Sequence, residues 1–476
     1  MNHRRRCRWL VLSAAVAGVA ALAAFGGTSR GVAAAHHGTM SPAAGPATLY
    51  QSVGRPLAGA TGSVLFGCQV TSPAGCYGPD QIRAAYGIQP LLDHGINGSG
   101  RTIVIIDAFG SPTIADDLAL FDSLWGLPDP PSFQIKAPFG IDPADPYTAA
   151  GWTGETSLDV EWAHVVAPKA NIVLVEAKSD SDSDMLDATQ WVADHNAGDV
   201  LSQSYGEAEQ CMDPSDLTRQ HKLFAKMSKQ GVTLLASTGD SGAGQYTCDG
   251  NAYFKAVSTP ATDPYVTSVG GTILTADGTS GRYQSETAWN ETELYGDAAG
   301  GGGGVSVLYT RPSYQSSAQR NSMRTVPDVS YNASLFQGVL VVLDGGLYRF
   351  GGASAGPPQW AGIVALADQV RRGRIGQINP ALYKTRGSRL FFHDVTTGDN
   401  SIPDLTPYLG DSYGTPINGY SAGRGYDFVT GLGTPVATAL VPYLAIRGFL
   451  GDDAFGSFGR GPNGSGHGRH GHMHDH

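Results

Sequence analysis

Apolar positions in the middle of the chain occur as short uninterrupted runs, separated by stretches with helical spacing. The runs include RTIVIIDAFG, ANIVLVEA, DVLSQSYG, GVTLLAS and YVTSVGGT, and a helical pattern extends from Ile114 to Leu124. Strands that are apolar at nearly every position are buried on both faces, as in a parallel sheet covered by helices. The pattern therefore predicts an α/β fold with a mostly parallel sheet flanked by helices.

Three polar residues stand at the ends of these predicted strands, namely Asp107, Ser204 and Asp240. In open α/β sheets the ligand site lies at the carboxyl ends of the strands. We therefore expect a functional site at that edge. No linker-like break divides residues 79–447, so we expect them to form one large domain.

Residues 1–35 have the pattern of a cleaved signal peptide. Four early arginines precede an apolar run over residues 9–25, and the segment closes with three alanines. An uncleaved membrane anchor is the alternative, but Ser13 and Gly18 interrupt the run, which is short for a span. No other long apolar segment follows. The protein is thus expected to be secreted and extracellular, with no membrane association after cleavage.

Two further segments lack a folding pattern. Residues 36–78 begin as an Ala-, Gly-, Ser- and Pro-rich stretch and are expected to form a short flexible leader or pro-segment. Residues 448–476 are expected to be a disordered Gly- and His-rich tail. Opportunistic capture of a soft or borderline metal is the alternative for the tail. Its crowded histidines are His467, His470, His472, His474 and His476.

Charge and cysteine content narrow the classes of partner and compartment. The chain has 31 Lys and Arg against 42 Asp and Glu, a net charge of −11, so no basic stripe is available for nucleic acid. We expect a monomer.

Apart from Cys7 in the signal, the cysteines form an even set, which in an exported chain favours two disulfides. A zinc site is the alternative, but the sequence has no Cys-x-x-Cys spacing to support one. Three pairings are possible, and we favour the local ones, Cys68 with Cys76 and Cys211 with Cys248.

The segment FGGASAGPPQWAGIVALADQV changes from a Gly-rich turn to a helical pattern after Ser354. A serine at a helix N-terminus among small neighbours has an exposed hydroxyl and adjacent backbone N–H groups. An ordinary N-cap of a buried helix is the alternative. Ser354 is a candidate nucleophile if a base accompanies it.

Histidine usually supplies that base, but no histidine of the predicted domain stands in a recognisable triad pattern. The string His37-Gly38-Thr39-Met40 looks like the histidine motif of subtilisins, yet it precedes Asp107, so the Asp-His-Ser order fails. Carboxylates must then supply the base. GETSLDVEWAHVVAPKA places Glu155 and Asp159 on one face of a helix, about 6 Å apart. A solvated acidic face is the alternative for such a pair.

A third carboxyl, Asp240, follows the strand GVTLLAS and is enclosed by Gly239 and Gly242. In that position it can approach a substrate closely, or it can serve as a turn residue. Taken singly, each of these motifs is weak.

Together the motifs resemble the sedolisin family of serine-carboxyl peptidases. GETSLD, STGDSG and GGASAGPP occur in the chain order of that family. The likeness begins at IRAAYGI and includes GGGGVSVLYTRPSYQ, VPDVSYNAS and GYDFVTGLGTP, so it covers roughly the whole predicted domain. The resemblance implies a subtilisin-like fold and a peptidase domain over residues 79–447.

The resemblance also implies a role for each candidate residue. Ser354 would attack the scissile carbonyl and Glu155 would take its proton. Asp159 would orient Glu155, and a protonated Asp240 would donate a hydrogen bond to the oxyanion. Because the base must be ionised and Asp240 neutral, we expect a bell-shaped pH profile with its maximum at roughly pH 3 to 5.5. By analogy, Ser202 to Gly206 and Gly301 to Gly304 would wall the substrate cleft.

Family members also bind one structural calcium ion near the C-terminus, through two Asp carboxylates and backbone carbonyls. The matching positions here are Asp394, Val395, Gly423, Gly425 and Asp427. Hard oxygen ligands from two loops suit calcium. A pair of Gly/Asp turns is the alternative.

The chain departs from the family pattern in three places. Ala353 replaces the usual threonine before the nucleophile. Asp107 and Tyr205 stand where many members have Glu and Trp behind the catalytic carboxyls. The resemblance therefore does not predict the outer proton network of this chain. The interval from His36 to the domain start is too short for the family's usual large folded propeptide.

The expected activity is that of a secreted serine-type endopeptidase that hydrolyses protein or peptide substrates at acid pH. The alternatives are a tripeptidyl-peptidase and a non-catalytic binding protein of the same fold. A casein-digestion assay would distinguish an enzyme from the non-catalytic protein. A subtilisin-type Ser-His-Asp hydrolase would need a histidine in an HGTH-like context after Asp107, and the sequence has none.

Overall fold

The computed structural model of the protein describes residues 41–42, 51–52, 65–410 and 416–450. Within these ranges the helices are α1 (Pro79–Ala85), α2 (Gln89–Asp93), α3 (Ile114–Trp125), α4 (Pro146–Val166), α5 (Asp182–His195), α6 (Pro214–Lys229), α7 (Thr292–Tyr295), α8 (Gly356–Arg371), α9 (Asn379–Lys384), α10 (Thr406–Leu409) and α11 (Ala437–Leu450). Short 3-10 turns cover Ser313–Gln315 and Ala353–Ala355.

The strands are β1 (Ser41–Pro42), β2 (Gln51–Ser52), β3 (Cys76–Tyr77), β4 (Thr102–Ala108), β5 (Phe133–Lys136), β6 (Asn171–Ala177), β7 (Val200–Gln203), β8 (Tyr205–Ala208), β9 (Thr233–Ser237), β10 (Gly244–Tyr246), β11 (Tyr253–Lys255), β12 (Ser258–Thr259), β13 (Val266–Ala276), β14 (Tyr283–Ala288), β15 (Gly304–Thr310), β16 (Met323–Val326), β17 (Val329–Asn332), β18 (Gly338–Leu343), β19 (Gly346–Phe350), β20 (Phe392–His393) and β21 (Thr434–Pro435).

The central sheet has the strand order β14-β13-β9-β7-β4-β6-β5, and β17 pairs with β13. All of these pairings are parallel except that of β13 with β14. The predicted mostly parallel sheet is therefore confirmed. The apolar runs form its middle strands because helices cover both of their faces.

Side chains of β4 show how the two faces are covered. Residues 103–106 of this strand alternate between two apolar clusters. One cluster includes Leu158 of α4 and Ile363 of α8, and the other includes Leu186 of α5 and Phe224 of α6. The sheet is thus the middle layer between two helical layers, which is the expected α/β architecture.

Helices α4 and α8 approach each other closely at Gly362. A Cβ atom added to this glycine would lie 2.5 Å from the Cβ of Val166. The missing side chain lets the two helices pack with their backbones near each other. This contact positions the turn before α8 against the face of α4 that carries the candidate carboxyls.

The N-terminal boundary differs from the expected start at residue 79. β3 pairs in parallel with β18, and Phe66, Cys76 and Tyr77 are buried. Residues 65–78, the last part of the expected leader, therefore pack with the domain. Their disulfide, Cys68–Cys76, is formed as predicted, and so is Cys211–Cys248.

Several expectations fall on other parts of the chain. The predicted signal over residues 1–35, most of the leader and the string His37 to Met40 lie outside the described residues, as does the tail from residue 451. The start expected for the tail, residue 448, lies within α11, which continues to Leu450. In the portion of the chain that the structure covers, no helix has both the length and the apolar character needed to cross a bilayer.

Candidate active site

Ser354 lies in the 3-10 turn that leads into α8. The preceding Gly352 has a φ of 108°, a left-handed conformation that L side chains rarely adopt, so the turn depends on glycine there. Ser354 is fully buried, whereas the sequence predicted an exposed hydroxyl. The hydroxyl faces the protein because two acceptors lie beside it. These are the backbone carbonyl of Ser204, at 3.4 Å, and the Glu155 carboxyl.

Helix α4 presents Glu155 and Asp159 on one face, as their spacing predicted. The helix begins at an N-cap, Asp145, whose carboxylate accepts hydrogen bonds from the backbone N–H groups of Tyr147 and Thr148. Both catalytic candidates are buried. The pair therefore does not form a solvated acidic face. It points toward the turn that carries Ser354.

Ser204 connects the two candidate groups. It occupies the single-residue break between β7 and β8. Its hydroxyl donates to Asp159 Oδ1 at 2.9 Å and lies 3.3 Å from the carbonyl oxygen of Ser354. Sequence analysis placed Ser204 at the correct end of the sheet but gave it no bonding partner. Its position in the run DVLSQSYG was the only available signal.

Asp107 lies behind this pair, near the end of β4, and is buried. Burial raises its pKa to about 7, the hydroxyl of Thr156 lowers it, and the charge of Glu176 raises it further. Tyr205 is also buried; its hydroxyl donates to Gln203 Oε1 at 3.2 Å. The two residues that depart from the family pattern therefore sit beside the catalytic candidates.

Burial and neighbouring charges raise the pKa values of Glu155 and Asp159. Burial raises the pKa of Glu155 well above its ordinary value, and the charges of Asp159 and Asp107 act in the same direction. The hydrogen bond from Ser354 opposes this shift. Burial and the charge of Asp107 also raise the pKa of Asp159, against the hydrogen bond from Ser204. Such a cluster holds fewer charges than carboxyls, so its members share protons.

Asp240 approaches Ser354 from the opposite side, in the loop after β9. Its Oδ1 accepts a hydrogen bond from the backbone N–H of Ala353 at 2.7 Å. Burial of the carboxyl raises its pKa to about 8, and this hydrogen bond lowers it. The group is therefore neutral at acid pH, and its second oxygen can carry the proton. The threonine hydroxyl that Ala353 lacks is not needed for this contact, which uses the main chain.

A glycine-rich strip supports the Asp240 loop. The N–H of Gly300 donates to the carbonyl of Asp240 at 2.7 Å, and that of Gly302 donates to Gly239 at 2.9 Å. A Cβ on Gly302 would lie 1.9 Å from the carbonyl oxygen of Thr238, so only glycine fits there. The strip holds Asp240 in place through main-chain contacts.

The edge of β8 accepts an extended chain beside Ser204. One side of β8 pairs with β12, and the other pairs in antiparallel register with β1. Ser41 stands opposite Gly206, and Pro42 stands opposite Tyr205. The β1 segment therefore occupies the edge of β8 beside Ser204, whose carbonyl oxygen lies 3.4 Å from Ser354 Oγ.

The loops expected to hold calcium also meet. Asp394 Oδ1 accepts from the N–H of Gly425 at 2.9 Å, and Asp427 Oδ2 accepts from the N–H of Gly423 at 2.8 Å. Two carboxylates with nearby carbonyl oxygens, such as that of Val395, form an all-oxygen donor set that suits calcium. Among the described residues no group of three or more His, Cys, Asp or Glu could hold a metal, and the expected set contains only two acidic residues.

Comparisons with known proteins agree with this geometry. The Subtilase family (Peptidase_S8) matches residues 148–381. Kumamolisin of Bacillus sp. strain MN-32 is 33% identical over 379 residues, which are 77% of this chain and 63% of the relative. Sedolisin of Pseudomonas sp. strain 101 is 29% identical over 364 residues, with coverage of 74% and 59%. Human tripeptidyl-peptidase 1 is 32% identical over 263 residues, with coverage of 52% and 43%. The chain thus spans about two fifths to three fifths of the length of these relatives.

A solved structure extends the likeness to three dimensions. Pseudomonas sedolisin, a serine-carboxyl proteinase complexed with two molecules of pseudo-iodotyrostatin, superimposes with a TM-score of 0.67 at 27% sequence identity. The match covers 78% of this chain and 99% of that one. With the parallel sheet, the motif order and these relatives in agreement, the chain belongs to the sedolisin family of serine-carboxyl peptidases and has its subtilisin-like α/β fold.

Proposed function

We propose that this protein is a secreted serine-type endopeptidase that hydrolyses peptide bonds on the acid side of neutrality. One observation carries the proposal. Ser354, the Glu155–Asp159 pair and Asp240 come from three separate segments and meet in one cluster, with the Ser354 hydroxyl against the Glu155 carboxyl. A nucleophile, a base and a proton-bearing oxyanion donor are the parts that acyl transfer needs.

In the proposed reaction, Ser354 Oγ attacks the scissile carbonyl carbon while its proton moves to Glu155. The carbonyl oxygen becomes an oxyanion, and the protonated oxygen of Asp240 donates a hydrogen bond to it. Glu155 then gives its proton to the leaving amine as the C–N bond breaks, leaving an acyl-enzyme. Water repeats the sequence and releases the acid product.

Asp159 acts in this scheme as a positioning residue. Its carboxylate is held by the hydroxyl of Ser204, and its charge favours a proton on Glu155. Asp107 adds a further negative charge to the cluster. Together they let Glu155 exchange its proton with neighbouring carboxyls, as its cycle between base and acid requires.

The proposal also covers a calcium site, an export signal and the end of the peptidase domain. Asp394 and Asp427 would supply the carboxylates for one structural calcium ion, with carbonyl oxygens of Val395, Gly423 and Gly425. The ion would stabilise the two loops against separation. Residues 1–35 would direct export, and the peptidase domain would extend to residue 447.

The test is peptide hydrolysis by the purified protein, with products mapped by mass spectrometry. We expect internal cleavage of N-acetylated peptides, and a loss of at least about 10⁴-fold in kcat/KM in Ser354→Ala and in Glu155→Gln. Ser317→Ala, which changes an exposed serine outside the cluster, is the control. Release of tripeptides from free N-termini alone would assign the activity of tripeptidyl-peptidases. Binding without cleavage would favour a non-catalytic protein.

A further inference from the structure

Beside Asp240 lies a group of aromatic residues that the proposed reaction does not use. This group, the tyrosine rim, consists of Tyr147, Tyr246, Tyr253 and Tyr295, and Asp297 lies among them. Tyr147 is 60% exposed and Tyr246 is 44% exposed, so the rim opens to solvent.

Main-chain contacts fix the rim next to the oxyanion residue. Asp297 precedes by three positions Gly300, whose N–H donates to the carbonyl of Asp240. The carbonyl of Gly300 in turn accepts from the N–H of Gly242 at 2.8 Å, and Gly242 lies just before β10. The segments that carry Tyr246 and Asp297 are therefore joined to each other and to the Asp240 loop.

Two members of the rim are directly opposite each other in the hairpin of β10 and β11. The rings of Tyr246 and Tyr253 stack at 4.4 Å, and their hydroxyl oxygens lie 2.6 Å apart. The Tyr253 hydroxyl donates to Asp297 Oδ1 at 3.1 Å. The turn of this hairpin contains Cys248, which is bonded to Cys211. Asp297 thus accepts a hydrogen bond at the hydroxyl edge of a stacked tyrosine pair whose outer ring, Tyr246, is exposed.

The other two members of the rim come from separate helices, α4 and α7. Tyr147 lies in the first turn of α4, two turns before Glu155. Burial, and then the charge of Asp297, raise the pKa of Tyr147. Burial raises the pKa of Tyr295 to about 12, with contributions from Asp297, Tyr147 and Asp240 among others. These effects agree with a compact group of tyrosines around Asp297, with Asp240 nearby.

The chemistry of the rim suits a cation. In the ranges that the structure covers, no lysine, arginine or histidine forms an ion pair with Asp297. Its observed hydrogen-bond donors, the Tyr253 hydroxyl and the N–H of Ala298, are neutral. A carboxylate at the hydroxyl edge of a tyrosine attracts an ammonium or guanidinium group by charge, and the exposed ring of Tyr246 adds the attraction of the ring quadrupole.

We propose that the tyrosine rim and Asp297 form a substrate subsite that takes a lysine or arginine side chain close to the scissile bond. The inference rests on the proposed peptidase function, whose site it borders. It assigns a substrate class, peptides with a basic residue near the cleaved bond, to a chain that itself carries a net charge of −11. Asp297 is the residue that determines the preference, and Tyr246 supplies the exposed ring face.

The test separates binding from cleavage. Fluorescein-labelled peptides that carry one lysine, scanned through each position, are compared with matched norleucine peptides for Kd on the Ser354→Ala protein. We expect the best lysine peptide to bind about tenfold more tightly than its norleucine partner. Adding Asp297→Asn should remove that preference while leaving the norleucine peptide unchanged, because the amide keeps the acceptor oxygen and loses only the charge.

Asp277→Asn is the matched control. Asp277 also accepts backbone N–H groups in a turn, at the far end of β13, and its loss of charge should not alter the preference. Equal Kd values for lysine and norleucine peptides at every position would overturn the subsite. So would a lysine preference that survives Asp297→Asn, or tighter binding of phenylalanine than of lysine. Failure of the proposed function is recognised separately, since the wild-type protein would then cleave none of the peptides whatever their Kd.

Discussion

Asp240 shows at the residue scale how one carboxyl can serve as a hydrogen-bond donor. Its Oδ1 is occupied by the N–H of Ala353, so a proton on the other oxygen faces the place where an oxyanion would form. Burial raises its pKa to about 8, so the group loses its proton only as the pH rises through that value. The activity should fall over the same interval.

We predict that Asp240→Asn removes this falling limb. The amide keeps an acceptor oxygen for Ala353 and presents an N–H donor at every pH, so kcat/KM should no longer decline near pH 8. Asp240→Ala, which has no donor, should lower kcat by about 10² to 10³-fold. The measurement is kcat/KM from about pH 3 to pH 9 on a peptide without titratable groups. A falling limb that persists unchanged in Asp240→Asn would assign it to another group.

We assign the rise of activity on the acid side of the pH profile to ionisation of the proposed base, Glu155. Because burial and neighbouring charges raise the pKa of Glu155 above 4.5, its ionisation comes at higher pH than for an ordinary glutamate. With the pKa values of Glu155 and Asp240 both raised, we expect both limbs at higher pH than two ordinary carboxyls would give, above the sequence-based prediction of a maximum at roughly pH 3 to 5.5. Composition and spacing could not reveal this, since they give no measure of how deeply each carboxyl is buried.

Other features at the residue scale also show what the sequence can and cannot predict. The motifs predicted Ser354, Glu155, Asp159 and Asp240 because their residue types and order are distinctive. The hydrogen bond of Ser204 to Asp159 depends on a break between two strands. The sequence pattern predicts that Ser204 lies at a strand end, but only the folded chain brings its hydroxyl to Asp159.

At the scale of elements, the packing of α4 against α8 aligns the proposed nucleophile with the proposed base. The two helices bring Glu155 and Ser354 together, and Gly362 allows their close approach. The apolar pattern predicted α8 after Ser354, and the structure has it at Gly356–Arg371. The pattern gave no information on which helix lies opposite, because that is decided by the sheet order.

We predict that Gly362→Ala destabilises the protein and slows it. Alanine gains about 1 kcal/mol over glycine in a helix interior, but the added methyl would lie 2.5 Å from Val166 Cβ, and overpacking costs about 1–3 kcal/mol. The expected result is a lower Tm and a lower kcat as α8 moves away from α4. Gly373→Ala, with no atom within 4 Å of the new Cβ, is the control and should change neither. A raised Tm in Gly362→Ala would show that the helices have room to spare.

The two C-terminal loops that contain Asp394 and Asp427 lead to a second prediction at this scale. If they hold one calcium ion, added calcium should raise Tm, with about 2.7 kcal/mol of stabilisation at 100 times Kd, and a chelator should lower it. Asp427→Asn should abolish the response because it removes a charged ligand. Magnesium serves as the control ion, since it favours a tighter octahedral site. Identical melting curves in calcium and in chelator would overturn the site.

For the molecule as a whole, buried carboxyls outside the candidate active site also have raised pKa values. Burial raises the pKa of Glu286 to about 7 and that of Asp368 to about 8. Asp368 lies at the end of α8, where its Oδ1 accepts from the N–H of Ile375 at 2.7 Å. The charge of Asp199 raises its pKa further, while Arg101 and Arg374 lower it. Such groups bind protons more strongly in the folded chain than in the unfolded one.

The sign of the pH dependence follows from linkage. Between the unfolded pKa near 4 and the folded pKa near 8, the native state holds more protons, so the free energy of unfolding decreases as the pH rises. We therefore predict that Tm is highest at acid pH and falls toward pH 9. Self-repulsion of the net −11 charge acts in the same direction, so a variant must isolate the carboxyl contribution.

Asp368→Asn supplies that variant. Asparagine keeps the acceptor for Ile375 and stays neutral at every pH, as the protonated aspartic acid does. At pH 4 the variant and the wild type should melt alike, whereas at pH 9 the variant should be more stable by at least about 1 kcal/mol, roughly 1 °C in a domain of this size. Asp277→Asn, at a partly exposed turn residue whose pKa is lowered rather than raised, should leave the fall in Tm toward pH 9 unchanged. A wild-type Tm that rises from pH 4 to pH 9, or an Asp368→Asn curve parallel to the wild type, would show that these buried carboxyls do not hold their protons in the native state.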